Sequence, residues 1–293
     1  MPADLLFLEI EKAMPSFSKG QKRIAAYIME HCEKAAFMTA ARLGDTVGVS
    51  ESTVVRFAAE MGYDGYPVLQ KALREVARNR LTAVQRMEVA SDRIGSGDIL
   101  RQVLQTDADT LRRTLELTDR SVFDSVVDSV IAARRIYVIG VRSAAAIATF
   151  MSFYFTHIFE DVRNVDTAST GAIFEQMLRI GPGDVFIGIT FSRYSSRTVK
   201  AASFARESGA TVIAITDSYS APICRVADHV LVAGSDMAGF VDSLVAPLSI
   251  VNALIMAIGM RKREEITAVY DRLEDIWEQY NVYQREDGNA FEV

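Results

Sequence analysis

The segment TFSRYSSRTV, Thr190 to Val199, sets six hydroxyl side chains and two arginines within ten positions, directly behind an apolar run. Arginine presents a planar fork of N–H donors that fits phosphate or carboxylate bidentately, and Ser or Thr hydroxyls complete such a cradle. A smaller set follows another apolar run in GVRSAAAIA, where Arg142 and Ser143 precede a helical pattern. If each run is a strand and each following segment a helix, both sets lie where helix N-termini favour an anion. Either loop alone reads more readily as a capping Ser beside a solvated Arg; two on adjacent strands shift the balance toward a ligand. A third polar group, SESTVVR, brings Ser50, Glu51, Ser52, Thr53 and Arg56 to the start of a helical pattern. Arginine can grip guanine by two hydrogen bonds, and Ser or Thr reaches base edges or phosphates.

The elements that must carry these residues are readable in outline. From Arg135 the texture alternates short apolar strands with helices: RIYVIG (135–140), VRNV (162–165), DVFIGIT (184–190), TVIAIT (211–216) and HVLVA (229–233). That pattern predicts a doubly wound α/β domain around a parallel five-stranded sheet with right-handed crossovers. The tail from Asp242 to Tyr280 reads as helical, with Trp277 packed against the domain or a second subunit.

The N-terminal stretch is all-α. Ile24, Tyr27 and Ile28 follow a capping Ser18, and Ala40, Leu43 and Val47 form the stripe of a shorter helix after Thr39. Gly48 permits a tight turn, Ser50 is expected to cap a third helix, and Val49 and Val54 occupy the positions of a hydrophobic staple. This helix ends near Met61, with Gly62 left-handed and Pro67 opening the next helix; Val54, Val55 and Phe57 are expected to face inward. Two short helices around a Gly turn make a helix-turn-helix, although three-helix units also occur as plain packing domains. Residues 81–97, ending in SDRIGSGD, read as a loop or hinge. Ile99, Val103, Leu104, Leu111 and Leu115 then trace a long helix whose stripe can meet a second subunit, and another helix covers roughly Ser121 to Ala133.

With 293 residues, 49% of them apolar, the chain is long enough for two domains. No window approaches ~18 uncharged apolar residues, so neither secretion nor membrane insertion is expected. Cys32 and Cys224 form no CxxC pair and His31, His157 and His229 lack ligand spacing, so no metal, no cofactor and a reducing cytoplasm are expected. Residues 1–80 carry a net charge of +1 and the remainder −7, too weak a basic footprint to announce nucleic-acid binding by itself. The dinucleotide, P-loop and hydrolase-elbow motifs are absent. An isomerase would need a general base, for which Glu175 is conceivable, though one carboxylate on a helix is more often a solvated face.

The stretch from Phe17 to Pro67, and above all VSESTVVRFAAEMGYDGYP, resembles the helix-turn-helix domain of the RpiR family of bacterial transcription regulators. The segments RIYVIGVRSAAAIA, GPGDVFIGIT, ARESGATVIAITDS, APICRVADHVLVA and SLVAPLSIVNAL are similar to the sugar isomerase (SIS) domain that those regulators use as a sensor. The resemblance covers nearly the whole chain. It implies a helix-turn-helix domain over 1–80, a linker and connecting helix over 81–120, and a SIS-type effector domain over 121–293. It further implies operator DNA and a phosphosugar as partners, a homodimer or tetramer, and no catalytic turnover. The family's GxGxS loop reads Gly140, Val141, Arg142, Ser143, Ala144 here, and its SxSGxT loop reads Thr190, Phe191, Ser192, Arg193, Tyr194, Ser195. Two glycines that would let backbone amides close around a phosphate are thus arginines, which adds bulk and charge to the rim. The expected function is transcriptional regulation of carbohydrate metabolism under a phosphorylated sugar or sugar-acid effector, with a phosphosugar isomerase as the rival. Arg142, Ser143, Thr190, Ser192, Arg193 and Ser195 are the expected effector contacts, and Ser50 to Thr53 with Arg56 the expected DNA contacts.

Overall fold

The computed structural model of the chain describes residues 3–78, 84, 87, 98–235 and 241–283. Its N-terminal part is helical: α1 (Ala3–Ala13), α2 (Lys19–Glu30), α3 (Cys32–Ala35), α4 (Ala40–Val47), α5 (Glu51–Glu60) and α6 (Tyr66–Arg78). Ser18 opens α2 with a reciprocal capping box, its hydroxyl accepting from the Gln21 amide while the Ser18 N–H donates to the Gln21 side chain. Thr39 caps α4, and Gly48 ends it at φ +68°. Gly44 allows the turn into α5 to close, because a Cβ there would stand 2.8 Å from the Val49 carbonyl oxygen. Ile24, Ile28, Leu43, Val54, Phe57 and Leu69 are fully buried in the core this creates. Tyr66 joins them and donates to the Met38 carbonyl at 2.9 Å, and burial pushes its phenol up to about 12.

Two expectations for α5 are corrected. Val55 is 42% exposed; the inward face is Val54, Phe57 and Ala58. At 100° per residue those three share a stripe while residue 55 turns away from it. Ser50 has the backbone of a cap, but its hydroxyl pairs with those of Ser52 and Thr53, each at 2.9 Å, and makes no side-chain bond to the first-turn amides.

The second part comprises α7 (Ile99–Leu117), α8 (Arg120–Ile131), β1 (Arg135–Gly140), α9 (Ala144–Ile158), β2 (Val162–Asn164), α10 (Thr170–Met177), β3 (Asp184–Ile189), α11 (Ser196–Glu207) and β4 (Thr211–Thr216). A 3-10 turn (Pro222–Arg225), β5 (His229–Val232), α12 (Val245–Arg261) and α13 (Arg263–Gln279) complete it. The five strands are all parallel, in the order β2-β1-β3-β4-β5. Alternate strand residues serve opposite faces. Ile136, Val138, Ile187 and Ile213 pack with α8, α9 and α12, whereas Tyr137, Ile139, Phe186 and Val212 pack with α10 and α11. At the N-terminal edge of the sheet, buried Asp184 is gripped bidentately by Arg134 at 2.9 and 3.0 Å.

β2, β3 and β5 each stop one residue short of the expected strand. The long helix α7 forms as expected, but Ile99, Leu104 and Leu115 are exposed; its buried residues are Thr110 and Thr114. Small side chains are what a close contact needs: a Cβ on Gly234 would lie 2.7 Å from Thr110 Cγ2. The expected hinge at 81–97 lies outside the described residues except for Val84 and Met87. No residue of α13 is buried, and Trp277 meets the Tyr283 ring edge-on, centroids 5.2 Å apart.

Candidate effector pocket and nucleic-acid interface

Strand order 2-1-3-4-5 places the topological switch point between β1 and β3, because α9 and α11 leave these neighbouring strands toward opposite faces. A cavity of about 490 Å3 opens there, lined by the loop after β1, the loop after β3 and Asp242. Arg142, Ser143, Thr190, Ser192, Arg193 and Ser195 all line it.

The first loop depends on two unusual backbone positions. Gly140 ends β1 where a Cβ would stand 2.3 Å from the Ala144 carbonyl oxygen, so only glycine lets α9 begin so close to the strand. Arg142 sits at φ +61°, the left-handed region, and so keeps a glycine-like backbone while carrying a guanidinium. That conformation costs a side chain with a Cβ about 1 to 2 kcal/mol.

The second loop is held from beneath by a residue that sequence reasoning missed. Asp217, buried just past β4, accepts from the Ser192 amide at 3.1 Å and from the Ser192 hydroxyl at 2.7 Å, both at one oxygen. Its other oxygen accepts from the Tyr194 hydroxyl at 2.9 Å. The hydroxyl proton of Ser192 is therefore committed inward, and toward the cavity Ser192 offers an acceptor only. Thr190 Oγ1 accepts from the Ser195 amide at 3.2 Å, and Ser195 Oγ caps α11 by accepting from the Thr198 amide at 3.4 Å. Among the described residues nothing accepts the hydroxyl protons of Thr190 and Ser195, and no hydrogen bond occupies the guanidinium of Arg142 or Arg193. Arg197 also lines the cavity but donates to the Thr167 carbonyl at 2.8 Å.

Three arginines against one carboxylate make the lining cationic, and α9 and α11 both begin at its edge. Glu175 is exposed and lies outside the lining. Cys224, half-buried close to Asp217, has its thiol pushed up by desolvation and by that carboxylate, which leaves it a poor nucleophile. Among the described residues no cluster of three His, Cys, Asp or Glu side chains could hold a metal ion.

On the helical part, the solvent face of α5 presents Glu51, Ser52, Val55, Arg56 and Ala59. Arg56 Nε donates to the Ser52 carbonyl at 3.3 Å, and Ser50 joins Ser52 and Thr53 in a hydroxyl cluster at the helix start. Thr53 is half-buried against α2, where a Cβ on Gly20 would lie 3.3 Å from its Cγ2.

The model of the SIS domain matches residues 129–257, and that of the helix-turn-helix domain of the rpiR family matches residues 5–79. The HTH-type transcriptional regulator HexR of Pseudomonas aeruginosa is 25% identical over 263 residues, spanning 88% of this chain and 90% of HexR. The sugar isomerase domain of an RpiR transcription factor from Sphaerobacter thermophilus is 31% identical, with a TM-score of 0.56, and covers 59% of this chain and 97% of its own. The Vibrio vulnificus NanR protein, solved in complex with ManNAc-6P, is 24% identical with a TM-score of 0.59 and covers 94% of this chain and 98% of its own, a likeness of fold. A DNA-binding helical head joined to a sugar isomerase-type sensor is the build of a transcription regulator. The chain belongs to the RpiR family. No single helix among its described residues is long and apolar enough to cross a membrane.

Proposed function

We propose that this regulator binds operator DNA through the N-terminal end of α5 and that a small anionic sugar in the switch-point cavity sets its affinity. The observation that carries this reading is the pair of uncommitted guanidinium groups, Arg142 and Arg193, on a cavity of about 490 Å3, the size of a small-molecule site. ManNAc-6P bound to NanR, which shares the fold, supports a phosphorylated sugar as the ligand class. The arginines at two glycine positions favour a more anionic member, such as a phosphorylated sugar acid. Thr190, Ser195 and Ser143 supply hydroxyls, and Ser192 accepts from a sugar hydroxyl. On α5, Arg56 contacts bases, with Ser50, Glu51, Ser52 and Thr53 around it.

The protein works without turnover, in the cytoplasm, as a homodimer or tetramer whose paired heads sit about 34 Å apart on a pseudo-palindromic operator. Its helical head takes residues 1–80, a connector 81–120 and the sensor 121–293. Asp242 is the one carboxylate among the cavity-lining residues, and it keeps an isomerase as the rival reading. A thermal-shift screen over sugar phosphates and phosphorylated sugar acids tests the proposal, because a ligand binding only the native state raises Tm. The expected result is a selective, anionic hit that Arg193→Ala weakens. Tight binding of a neutral sugar unchanged in Arg193→Ala, or catalytic isomerisation of a hit, would overturn it.

A further inference from the structure

Among the described residues, Arg112, Arg120, Arg134, Arg163, Arg206 and Arg261 of the sheet part each meet an Asp, and His31 of the helical part meets Glu30. Among those same residues Lys19, Arg23 and Arg56 have no carboxylate partner, and all three line one open groove of about 1110 Å3 between α2 and α5. The single carboxylate in that lining, Glu60, already accepts from Gln21 Nε2 at 2.5 Å. Arg23 is fixed over the turn between α4 and α5: its Nη1 donates to the Gly48 carbonyl at 3.0 Å, and a Cβ on Gly48 would lie 2.5 Å from its Nη2. Ser50 and Thr53 add hydroxyls on the opposite wall.

We propose that this groove is a phosphodiester-binding site, in which Lys19 and Arg23 hold the backbone of the DNA strand flanking the major groove that receives α5. The inference rests on the DNA-binding reading above and assigns two residues outside the recognition helix. The groove is more than twice the volume of the switch-point cavity and more open to solvent, which suits a polyanionic strand better than an enclosed small ligand. Contacts of this kind set register and orientation and carry no sequence information. Removing them should weaken every duplex alike, whereas removing Arg56 should weaken the operator selectively.

The test is the salt dependence of binding by the full-length protein, read by fluorescence anisotropy between 50 and 200 mM salt. One labelled duplex carries the protein's own upstream DNA and the other is an unrelated sequence of equal length. Lys19→Gln should flatten the slope of log K against log salt by about 0.9 for each phosphate it leaves unneutralised, on both duplexes, with their affinity ratio unchanged. Lys19→Arg should restore the slope, and Arg23→Gln should lower it again, with circular dichroism confirming the helical head. Folded Lys19→Gln and Arg23→Gln proteins that both keep the wild-type slope would overturn the assignment while leaving DNA binding intact. Wild-type protein that binds neither duplex would overturn the DNA reading, and this site with it.

Discussion

The Ser243 hydroxyl donates to the Asp107 carboxylate at 2.6 Å, tying α7 to the residue next to Asp242, which lines the switch-point cavity. A second tie lies close by: the Gly234 amide donates to Thr114 Oγ1 at 3.0 Å, on one of the two residues that α7 buries. Since α7 lies in the 81–120 connector between the DNA-binding head and the sensor, these bonds tie the cavity's rim to the segment through which any coupling to the head must pass.

Cutting that route should uncouple the two ligands without abolishing either. In Asp107→Ala and Thr114→Val, effector and DNA should each still bind. The factor by which one changes the other's affinity should fall toward 1 from the 5- to 150-fold typical of allosteric coupling. Titrating each ligand with and without the other measures it, and an unchanged factor in both variants would exclude this route.

Arg142 stores strain that glycine would not. Arg142→Ala keeps the left-handed cost and loses the guanidinium, whereas Arg142→Gly loses both. Arg142→Gly should therefore be more stable than Arg142→Ala by about 1 kcal/mol in denaturant melts, while both bind an anionic effector more weakly than wild type. Equal stability of the two variants would mean that residue 142 leaves the left-handed region in solution.

Tyr66 makes the helical head sensitive to alkali. Its folded pKa of about 12 lies above the ordinary 10.0, because burial disfavours the phenolate. Above pH 10 the unfolded chain gives up this proton while the folded chain keeps it, so stability falls as pH rises from 10 toward 12. Tyr66 should contribute on the order of 2 kcal/mol to that loss, and Tyr66→Phe should reduce it by that amount while Tyr27 and Tyr63, whose phenols burial also pushes up, keep the remainder. That variant should also lose about 1 kcal/mol at neutral pH, since the Met38 carbonyl keeps the Gln70 side chain but forfeits one of its two donors. Melts of both proteins across pH 8 to 12 check the slope.

The residues that hold the effector cavity together were less legible than those that line it. Arg142, Ser143 and the 190–195 loop announce themselves by following apolar strands, a local pattern. Asp217 acts on Ser192 and Tyr194 across a gap of 25 and 23 positions, and only the pairing of β3 with β4 brings it beneath them. Nothing local separates it from an ordinary strand-end carboxylate. The inward assignment of Val55 failed because hydrophobicity alone does not choose between neighbours on a helix; the angular stripe does, and Ala58 completes it. What α7 buries within its own domain was illegible for a different reason. Thr110 and Thr114 are buried because Gly234 demands small side chains opposite, and that constraint sits about 120 residues downstream.

The most direct test of the whole account is the Kd of the full-length protein for its own upstream duplex, measured by anisotropy with and without the anionic sugar phosphate found by thermal shift. That ligand should change the Kd at least fivefold in wild type and leave it unchanged in an Arg142→Ala/Arg193→Ala variant whose duplex binding is otherwise normal. A wild-type Kd indifferent to every sugar phosphate that raises Tm would contradict it.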